Sequence, residues 1–168
     1  MSASATIRPV RPADFEAIAA ILAPVVIHTA IHFAYTPPTA AELRAEWEPG
    51  RERFPYLVAE VAGEVVGFAK VGPFRARDAY AGTVESGVYI AERFWRQGLA
   101  RALYLALIPA AREAGFKQLV AGIALPNPGS VALHEALGFV AIGVFPKVGY
   151  KFGQYHDVGF WQMELAAS

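Results

Sequence analysis

The chain has 168 residues, with 15 basic side chains, 15 acidic side chains and no cysteine, so its formal net charge at pH 7 is zero. A chain of this length is expected to form one domain whose core needs no disulfide or structural metal. Without cysteine it has no thiolate nucleophile, zinc–thiolate site or disulfide framework, which fits a reducing cytoplasm. Its balanced charge gives no electrostatic reason to bind nucleic acid.

Neither a membrane span nor a secretory signal is predicted. The longest uninterrupted apolar stretch, residues 17–27, contains Pro24 and is well short of the roughly 20 residues that cross a bilayer. Met1 is followed by small residues rather than by a basic segment and an apolar core. We therefore expect a soluble, cytoplasmic protein.

Apolar periodicity predicts seven strands and four helices. The second helix has the clearest start, because Thr39 and Glu42 have the spacing of a capping box. Gly63 predicts the turn of a hairpin, and Pro109 predicts a bend inside the third helix. The predicted strands are residues 6–8, 56–61, 65–71, 83–90, 117–122 and two within 139–164; the predicted helices are residues 14–22, ending near Pro24, one from the Thr39 cap to Pro49 and Gly50, 99–113 and 130–137.

A glycine- and aromatic-rich segment near the end of the chain is predicted to be the loop between the last two strands. This segment contains Gly149, Tyr150, Gly153, Tyr155 and His156. The order of elements, β, α, α, β, β, β, α, β, α, β, β, indicates a single mixed α/β (α+β) domain over residues 1–168.

Residues 88–101 carry the most informative pattern of the chain. A strand leads into a short basic loop with Gly98, and a helix begins directly after the loop. Free N–H groups and the positive end of the helix dipole then surround one point, which favours a phosphate. The alternative is an ordinary strand-to-helix turn. In that case glycine is needed at position 98 only because of its backbone dihedral angles, and the arginine side chains are exposed to solvent.

A second pattern follows at residues 127–139, Asn-Pro-Gly-Ser-Val-Ala-Leu-His-Glu-Ala-Leu-Gly-Phe. Together with the basic loop it resembles the GNAT superfamily of acetyl-CoA-dependent N-acyltransferases, whose later helix has Asn, Ser, Leu, then Tyr or His, and ends in Gly-Phe. Residues 74–80, 83–86, 133–138, 149–151 and 156–162 further resemble its phosphinothricin and methionine-sulfoximine N-acetyltransferase branch. The resemblance runs from about residue 7 to residue 165.

The resemblance implies the GNAT fold, a twisted and mostly antiparallel sheet with helices on both sides. The sheet would splay in a V between strands 83–90 and 117–122, and the pantetheine arm of acetyl-CoA would lie in the opening. Trp95 departs from the family pattern, which has Gln or Arg at this position. The implied acetyl-CoA-binding residues are Val88, Tyr89, Ile90, Arg96, Gln97, Gly98, Leu99, Ala100, Arg101, Asn127 and Ser130.

Glu85 and His134 are the candidate acid–base residues. N-acetylation needs an uncharged amine, so a carboxylate must take the proton, directly or through water, as the amine attacks. Glu85 lies in an otherwise apolar strand, where burial would raise its pKa; the alternative is a solvent-facing strand position. His134 is implied to lie near the leaving sulfur, where it either protonates the thiolate or packs.

Arg75 and Arg77 are candidates for binding the acidic end of the acceptor. They are two residues apart in a predicted extended segment, so both guanidinium groups can face one carboxylate or phosphinate. The alternative is an ordinary basic loop. The resemblance also implies that residues 25–33 border the acceptor pocket, although Val25, Val26 and His28 depart from the branch pattern. The implied substrate-binding residues are Phe33, Arg75, Arg77, Tyr80, Glu85, Ser86 and Gly87.

No metal site is expected. His28 and His32 are four residues apart, but Pro24 disturbs the helix, no HExxH pattern is present and a third ligand is not evident.

The expected reaction is direct acetyl transfer from acetyl-CoA to the α-amino group of a small amino-acid analogue such as phosphinothricin, methionine sulfoximine or methionine sulfone. The alternatives are another small amine, such as an ordinary amino acid or a polyamine, and a non-catalytic acyl-CoA-binding sensor module. No nucleic acid or membrane partner is expected. The resemblance implies a homodimer, which exposed aromatic residues near Phe152, Tyr155 and Phe160 would allow.

Overall fold

A computed structural model describes residues 4–165 of the chain. The elements follow the predicted order. The strands are β1 (Thr6–Pro9), β2 (Tyr56–Val61), β3 (Glu64–Pro73), β4 (Thr83–Ile90), β5 (Gln118–Ala124), β6 (Val140–Lys151) and β7 (Gln154–Glu164), and the helices are α1 (Phe15–His28), α2 (Ala40–Trp47), α3 (Leu99–Glu113) and α4 (Pro128–Ala136).

All seven strands form one sheet in the order β1-β2-β3-β4-β5-β7-β6. Every neighbouring pair is antiparallel except β4 and β5, which run parallel. These two strands pair only over Thr83–Glu85 and Gln118–Val120 and then separate. The predicted V-shaped opening between them is therefore confirmed.

Helices cover both faces of the sheet, as predicted. Leu103 and Leu107 of α3 pack into one core with β-strand residues such as Ala121. Phe15 and Ile18 of α1 pack into a second core on the opposite face, together with α2. Thr39 and Glu42 form the predicted capping box at the start of α2. No helix within residues 4–165 is long and apolar enough to cross a membrane.

The prediction that the first helix ends near Pro24 is wrong, because α1 continues through this residue to His28. A proline removes its own N–H from the helix and its ring crowds the carbonyl four residues earlier, so continuation of the helix has a free-energy cost that other contacts must offset. The following residues Val25 and Val26 are buried, so burial of apolar surface holds the last turn. Thr29 adds hydrogen bonds from its backbone N and its Oγ1 to the Val25 carbonyl, at 3.2 and 2.6 Å.

The predicted loop between the last two strands is also wrong in extent. β6 and β7 pair up to Lys151 and Gln154, so only Phe152 and Gly153 form the turn. Both have positive φ, +55° and +72°, as a two-residue hairpin turn requires. The rings of Tyr150 and Tyr155 contact each other across the strands, with centroids 5.0 Å apart, which explains why this aromatic segment is paired.

Candidate active site

A cleft of about 500 Å³ opens where β4 and β5 separate. Its walls are residues 86–90 of β4 and residues 121–124 of β5. The loop before α3 and the first turns of α4 close one end, and Val25 and Ile31 contribute from the α1 side. Val88, Tyr89 and Ile90 therefore line the opening in which the pantetheine arm was predicted.

The loop before α3 lies at one end of the cleft. Arg96 and Gly98 both have positive φ, +60° and +77°. Gly98 is the N-cap of α3 and provides no side-chain acceptor, so the N–H groups of the first helical turn are not capped. Arg96 and Ala100 line the cleft. This loop has the backbone geometry and the positive dipole end that bind a phosphate.

Trp95 ties this loop to the end of β4. Its indole Nε1 donates a 2.8 Å hydrogen bond to the carbonyl of Ile90, and its side chain lines the cleft. The residue that departs from the family pattern thus has a structural contact of its own.

The other side chains of the basic loop face away from the cleft or contact the protein. The Gln97 amide donates to the Arg93 carbonyl at 3.3 Å. Leu99 is buried in the core, and Arg101 is exposed. The groups of Gln97, Leu99 and Arg101 that remain for the predicted binding of acetyl-CoA are therefore their backbone N–H groups, not their side chains.

Asn127 is the N-cap of α4. Its side-chain oxygen accepts a 3.2 Å hydrogen bond from the N–H of Ser130, and both residues line the cleft. The implied contact of Asn127 with the pantetheine or the acetyl end of acetyl-CoA is compatible with this capping role, because an amide group also has an N–H₂ donor.

Glu85 lies at the last paired position of β4 before the strands separate. It is half-buried, and its Oε1 faces Gly122 of β5 so closely that a Cβ added there would lie 3.3 Å from it. Burial raises the pKa of Glu85, and the positive charge of Arg75 partly opposes this shift. A half-buried carboxylate of raised pKa is suited to accept a proton from an amine.

His134 is buried, and both of its ring nitrogens have partners. Nδ1 lies 2.7 Å from the carbonyl of Ser130, which can only accept, so Nδ1 carries the proton. Nε2 then accepts from the hydroxyl of Tyr104 at 2.7 Å. Burial lowers the pKa of His134. These contacts favour the packing and positioning alternative for His134 over direct protonation of a thiolate.

The predicted acceptor residues on β4 lie on two faces of the strand. Ser86 places its Oγ 3.0 Å from the hydroxyl of Tyr104 on the α3 side. Successive side chains of a strand point to opposite faces. Glu85 and Gly87, the neighbours of Ser86, therefore lie on the α1 side of β4. Ser86 therefore belongs with the Tyr104–His134 network rather than with Glu85.

Arg75 and Tyr80 are brought together by Phe74. The guanidinium of Arg75 lies 4.5 Å from the Phe74 ring centroid, and the Tyr80 ring packs edge-on at 5.7 Å. Arg75 is also close enough to Glu85 to influence its pKa. Arg77 is exposed; its carbonyl accepts a 2.9 Å hydrogen bond from the N–H of Tyr80, but its side chain forms no hydrogen bond or ion pair within residues 4–165.

Phe33 lies between the α1–α2 loop and the final hairpin. Its ring fills the space above Gly149, where a Cβ would lie 2.2 Å from it, and is 6.1 Å from the His156 ring. His32 lies 6.1 Å from the ring of Tyr89. His28 and His32 are not part of a cluster of three or more metal-ligating side chains among residues 4–165.

The sequence analysis missed two residues that line the cleft, Tyr104 and Gly122, and one that binds the loop after α1, Lys151. In the sequence alone, Tyr104 cannot be distinguished from the other core residues of an apolar helix face, and Gly122 cannot be distinguished from an ordinary glycine in a strand. Lys151 is 3% exposed although lysine is normally a surface residue. Only Tyr104 had a usable signal, since a buried tyrosine hydroxyl needs a hydrogen-bond partner.

A sheet that splays beside an anion-binding loop, with a half-buried carboxylate at the opening, defines an acyltransferase that uses an acyl-CoA. Residues 7–159 match the family model described as an acetyltransferase (GNAT) domain. The chain therefore belongs to the GNAT acetyltransferase family and is an acetyl-CoA-dependent N-acetyltransferase.

Individual relatives support this assignment over nearly the whole chain. A phosphinothricin N-acetyltransferase of Streptomyces viridochromogenes is 46% identical, covering 95% of this chain and 87% of its own. An L-methionine sulfoximine/L-methionine sulfone acetyltransferase of Pseudomonas aeruginosa is 39% identical, covering 96% and 95%. A crystal structure of a GNAT phosphinothricin acetyltransferase of Sinorhizobium meliloti in complex with acetyl-CoA has a TM-score of 0.92 and 34% identity, covering 96% and 89%.

Proposed function

We propose that the protein transfers the acetyl group of acetyl-CoA to the α-amino group of a small amino-acid analogue such as phosphinothricin, methionine sulfoximine or methionine sulfone. Its relatives named for these acceptors are similar over nearly the full length. The proposed site is formed by one chain, and the acceptor enters from the α1 side of β4. A small molecule rather than a nucleic acid or a membrane is the partner, and the cysteine-free sequence fits a cytoplasmic location.

The observation that carries the proposal is the position of Glu85. Its carboxylate lies beside Gly122 at the point where β4 and β5 begin to separate. An acetyl thioester whose pantetheine arm occupies the opening would place its carbonyl carbon at this point. Arg75 then offers a cation beside the carboxylate for the acidic end of an amino acid.

In the proposed reaction the amine nitrogen attacks the thioester carbon and forms a tetrahedral intermediate. Glu85 takes one proton from that nitrogen, directly or through water, so that the new C–N bond carries no positive charge. The intermediate collapses by breaking the C–S bond, and the electron pair leaves with the CoA sulfur. The products are the N-acetyl amino acid and the thiolate of CoA, which takes up one proton.

The Tyr104–His134 network is proposed to stabilise the departing thiolate. Burial raises the pKa of Tyr104 far above the value of about 8.5 for a thiol, so the phenol is a poor proton donor but a good hydrogen-bond donor. The single proton of this hydroxyl is accepted by His134 Nε2 at 2.7 Å in this structure, so the hydroxyl would rotate from Nε2 to the sulfur as the thiolate forms. Solvent then supplies the proton as CoA leaves.

The experiment that tests the proposed function is an acetylation assay over a panel of amines. We expect the highest kcat/KM for phosphinothricin, methionine sulfoximine or methionine sulfone. Faster acetylation of an ordinary amino acid or a polyamine would replace the proposed acceptor class. Tight binding of acetyl-CoA without turnover of any amine would support the acyl-CoA-binding sensor instead.

Replacing Arg75 or Arg77 by alanine is expected to raise the KM of an acidic acceptor about tenfold, the low end for a charge-assisted hydrogen bond at an exposed position. The affinity for acetyl-CoA should not change. Removing Arg75 should also shift the acid limb of the pH profile of kcat/KM to higher pH, because Arg75 lowers the pKa of Glu85. Steady-state kinetics between pH 5 and pH 9 measure both effects.

Arg44→Ala is the matched control, since Arg44 is an exposed arginine on α2. An amine without an acid group should have the same kcat/KM in the wild type and in each variant. Equal losses for acidic and non-acidic amines would mean that these arginines maintain the loop rather than bind the acceptor.

We also propose that the protein is a homodimer that associates through the β6–β7 face. β6 is an edge strand of the sheet. Many large apolar side chains exposed on one edge hairpin are typical of an interaction surface. The large apolar side chains exposed on this hairpin are Val140, Ile142, Val144, Phe145, Val148, Tyr150, Phe152 and Tyr155.

Sedimentation velocity tests the dimer. Val144→Glu should shift the wild-type dimer to a monomer, because a charge at the centre of the apolar face opposes its burial. Leu105→Glu is the control, since Leu105 is a similarly exposed apolar residue on α3. A monomeric wild-type protein, or a dimer that both variants leave intact, would rule out this interface.

A further inference from the structure

Lys151 is a buried lysine whose ammonium group binds three backbone carbonyl groups. Its Nζ lies 2.6 Å from the oxygen of Val26, 2.8 Å from that of Thr29 and 2.6 Å from that of His32. An ammonium has three N–H donors, so these contacts use all of them. Among residues 4–165, no carboxylate forms an ion pair with Lys151.

The three acceptors belong to one segment, the end of α1 and the loop that follows it. The last carbonyl groups of a helix have no intrahelical partner and carry the negative end of its dipole. The carbonyl of Val26 belongs to this last turn. One cation from β6 therefore compensates the end of α1 and also fixes the loop out to His32.

Burying a lysine has an energetic cost, and this cost suggests a specific role. Removing the ammonium from water disfavours its charged form, and burial lowers the pKa of Lys151 accordingly. An apolar side chain would fill the same space without that cost. What an apolar side chain cannot do is hold three carbonyl groups at defined positions, so the charge is best explained by the geometry it imposes on the loop.

The loop that Lys151 holds forms a wall of the cleft on the acceptor side. Ile31 lines the cleft, and His32 contacts the ring of Tyr89 at 6.1 Å between centroids. Burial raises the pKa of Tyr89 to about 12, and the negative charge of Glu85 contributes to this shift. Tyr89 is four residues after Glu85 on the same face of β4, so the held segment contacts the face that carries the proposed general base.

Two further contacts attach the same loop to the final hairpin. Phe33 packs directly against the backbone of Gly149, and the hydroxyl of Tyr35 donates to the carbonyl of Tyr150 at 2.6 Å. Among the residues that make these contacts between loop and hairpin, Lys151 is buried and charged, whereas Tyr35 is exposed. The loop and the hairpin therefore form one unit.

We propose that Lys151 is a positioning residue for the acceptor, because its ammonium holds residues 29–33, of which Ile31 lines the cleft, on the side of β4 that carries Glu85. Acceptor recognition then depends on β6, although no side chain of β6 needs to touch the acceptor. This inference rests on the proposed function, since it assumes that the acceptor amine occupies the α1 side of β4.

The test compares Lys151→Met, which keeps the length of the side chain and removes its donors, with the wild type. We expect the KM of the acceptor to rise about tenfold, as for the loss of a charge-assisted contact, while kcat stays within about twofold and acetyl-CoA affinity is unchanged. Lys147→Met is the matched control, since Lys147 is an exposed lysine of the same strand. It should leave all three parameters unchanged.

Hydrogen exchange measured without any substrate separates this proposal from the proposed function. Lys151→Met should increase exchange at residues 29–33 even if the acceptor class is a different one. Increased exchange with an unchanged acceptor KM would overturn the positioning role. An equal loss of acceptor and acetyl-CoA binding would also overturn it, because that result indicates a general structural role.

If Lys151→Met does not fold, Tyr35→Phe tests the same attachment at an exposed residue. It removes one neutral hydrogen bond between the loop and the hairpin, so the KM of the acceptor should rise about threefold with kcat and acetyl-CoA affinity unchanged. An unchanged acceptor KM in Tyr35→Phe would then overturn the proposal.

Discussion

Replacing Glu85 by glutamine is expected to lower kcat by about 100-fold or more, within the range for removal of a positioned general base. Glutamine has the same shape as glutamate, so it should fit beside Gly122 without disturbing β4 or β5. The variant lacks the carboxylate that takes the proton from the attacking amine. Because acetyl-CoA is bound by other residues in the proposed site, its affinity, measured by calorimetry, should change little.

The pH dependence gives this prediction a second readout. Glu85 acts as a base only when it is ionised, so kcat/KM should fall as the pH drops through its pKa. Burial raises that pKa, so the fall should begin at a higher pH than for an ordinary glutamate. Glu85→Gln should lose this acid limb, while the limb due to protonation of the substrate amine remains.

Glu113→Gln is the control, since Glu113 is an exposed glutamate at the end of α3. It should behave like the wild type at every pH. Wild-type turnover of Glu85→Gln from pH 6 to pH 9 would contradict the assignment and transfer the role of base to another group or to bulk water.

Replacing Gly98 by valine is expected to weaken acetyl-CoA binding by about 100-fold, as for the loss of two hydrogen bonds to a charged group. Gly98 has a φ of +77°, in the left-handed region that β-branched residues avoid. The substituted Cβ would meet no atom within 4 Å, so backbone conformation and not crowding within the protein causes the effect. The strained loop would turn its N–H groups away from the diphosphate.

Two comparisons isolate the cause of that loss. Gly63→Val introduces the same type of strain in the β2–β3 turn, where φ is +82° and nothing lies within 4 Å, and should leave acetyl-CoA affinity unchanged. Gly98→Asn should retain more affinity than Gly98→Val, because asparagine tolerates the left-handed region. Isothermal calorimetry measures each affinity. Unchanged affinity in Gly98→Val would remove this loop as the phosphate site.

Local sequence patterns were sufficient for the order of the elements and for the two motif segments. Gly98 follows a strand and precedes a helix, and that arrangement depends only on neighbouring residues. The capping box of Thr39 and Glu42 is local for the same reason. Such features involve hydrogen bonds over three or four residues, so they are visible in a single sequence.

The boundaries that were wrong depend on partners far away in the chain. Pro24 is a helix-ending residue by local rules, yet α1 continues because Val25 and Val26 are buried and Lys151 binds the Val26 carbonyl. The segment around Tyr150 and Tyr155 has loop-like composition, yet cross-strand ring contact makes it a paired hairpin. Tertiary burial overrides local propensity in both cases.

The candidate site also contains residues that local patterns predicted and contacts that only the tertiary structure shows. Glu85 and the basic loop were predicted because an ionisable residue in an apolar strand and a glycine before a helix are unusual locally. That Ser86 turns away from Glu85 toward Tyr104, and that Tyr104 reaches His134, follows only from how β4, α3 and α4 pack. Lys151 is the clearest case, since its acceptors lie 119 to 125 residues earlier in the chain. Whether a lysine is solvated or buried depends on the carbonyl groups that folding brings to it, and no local pattern contains that information.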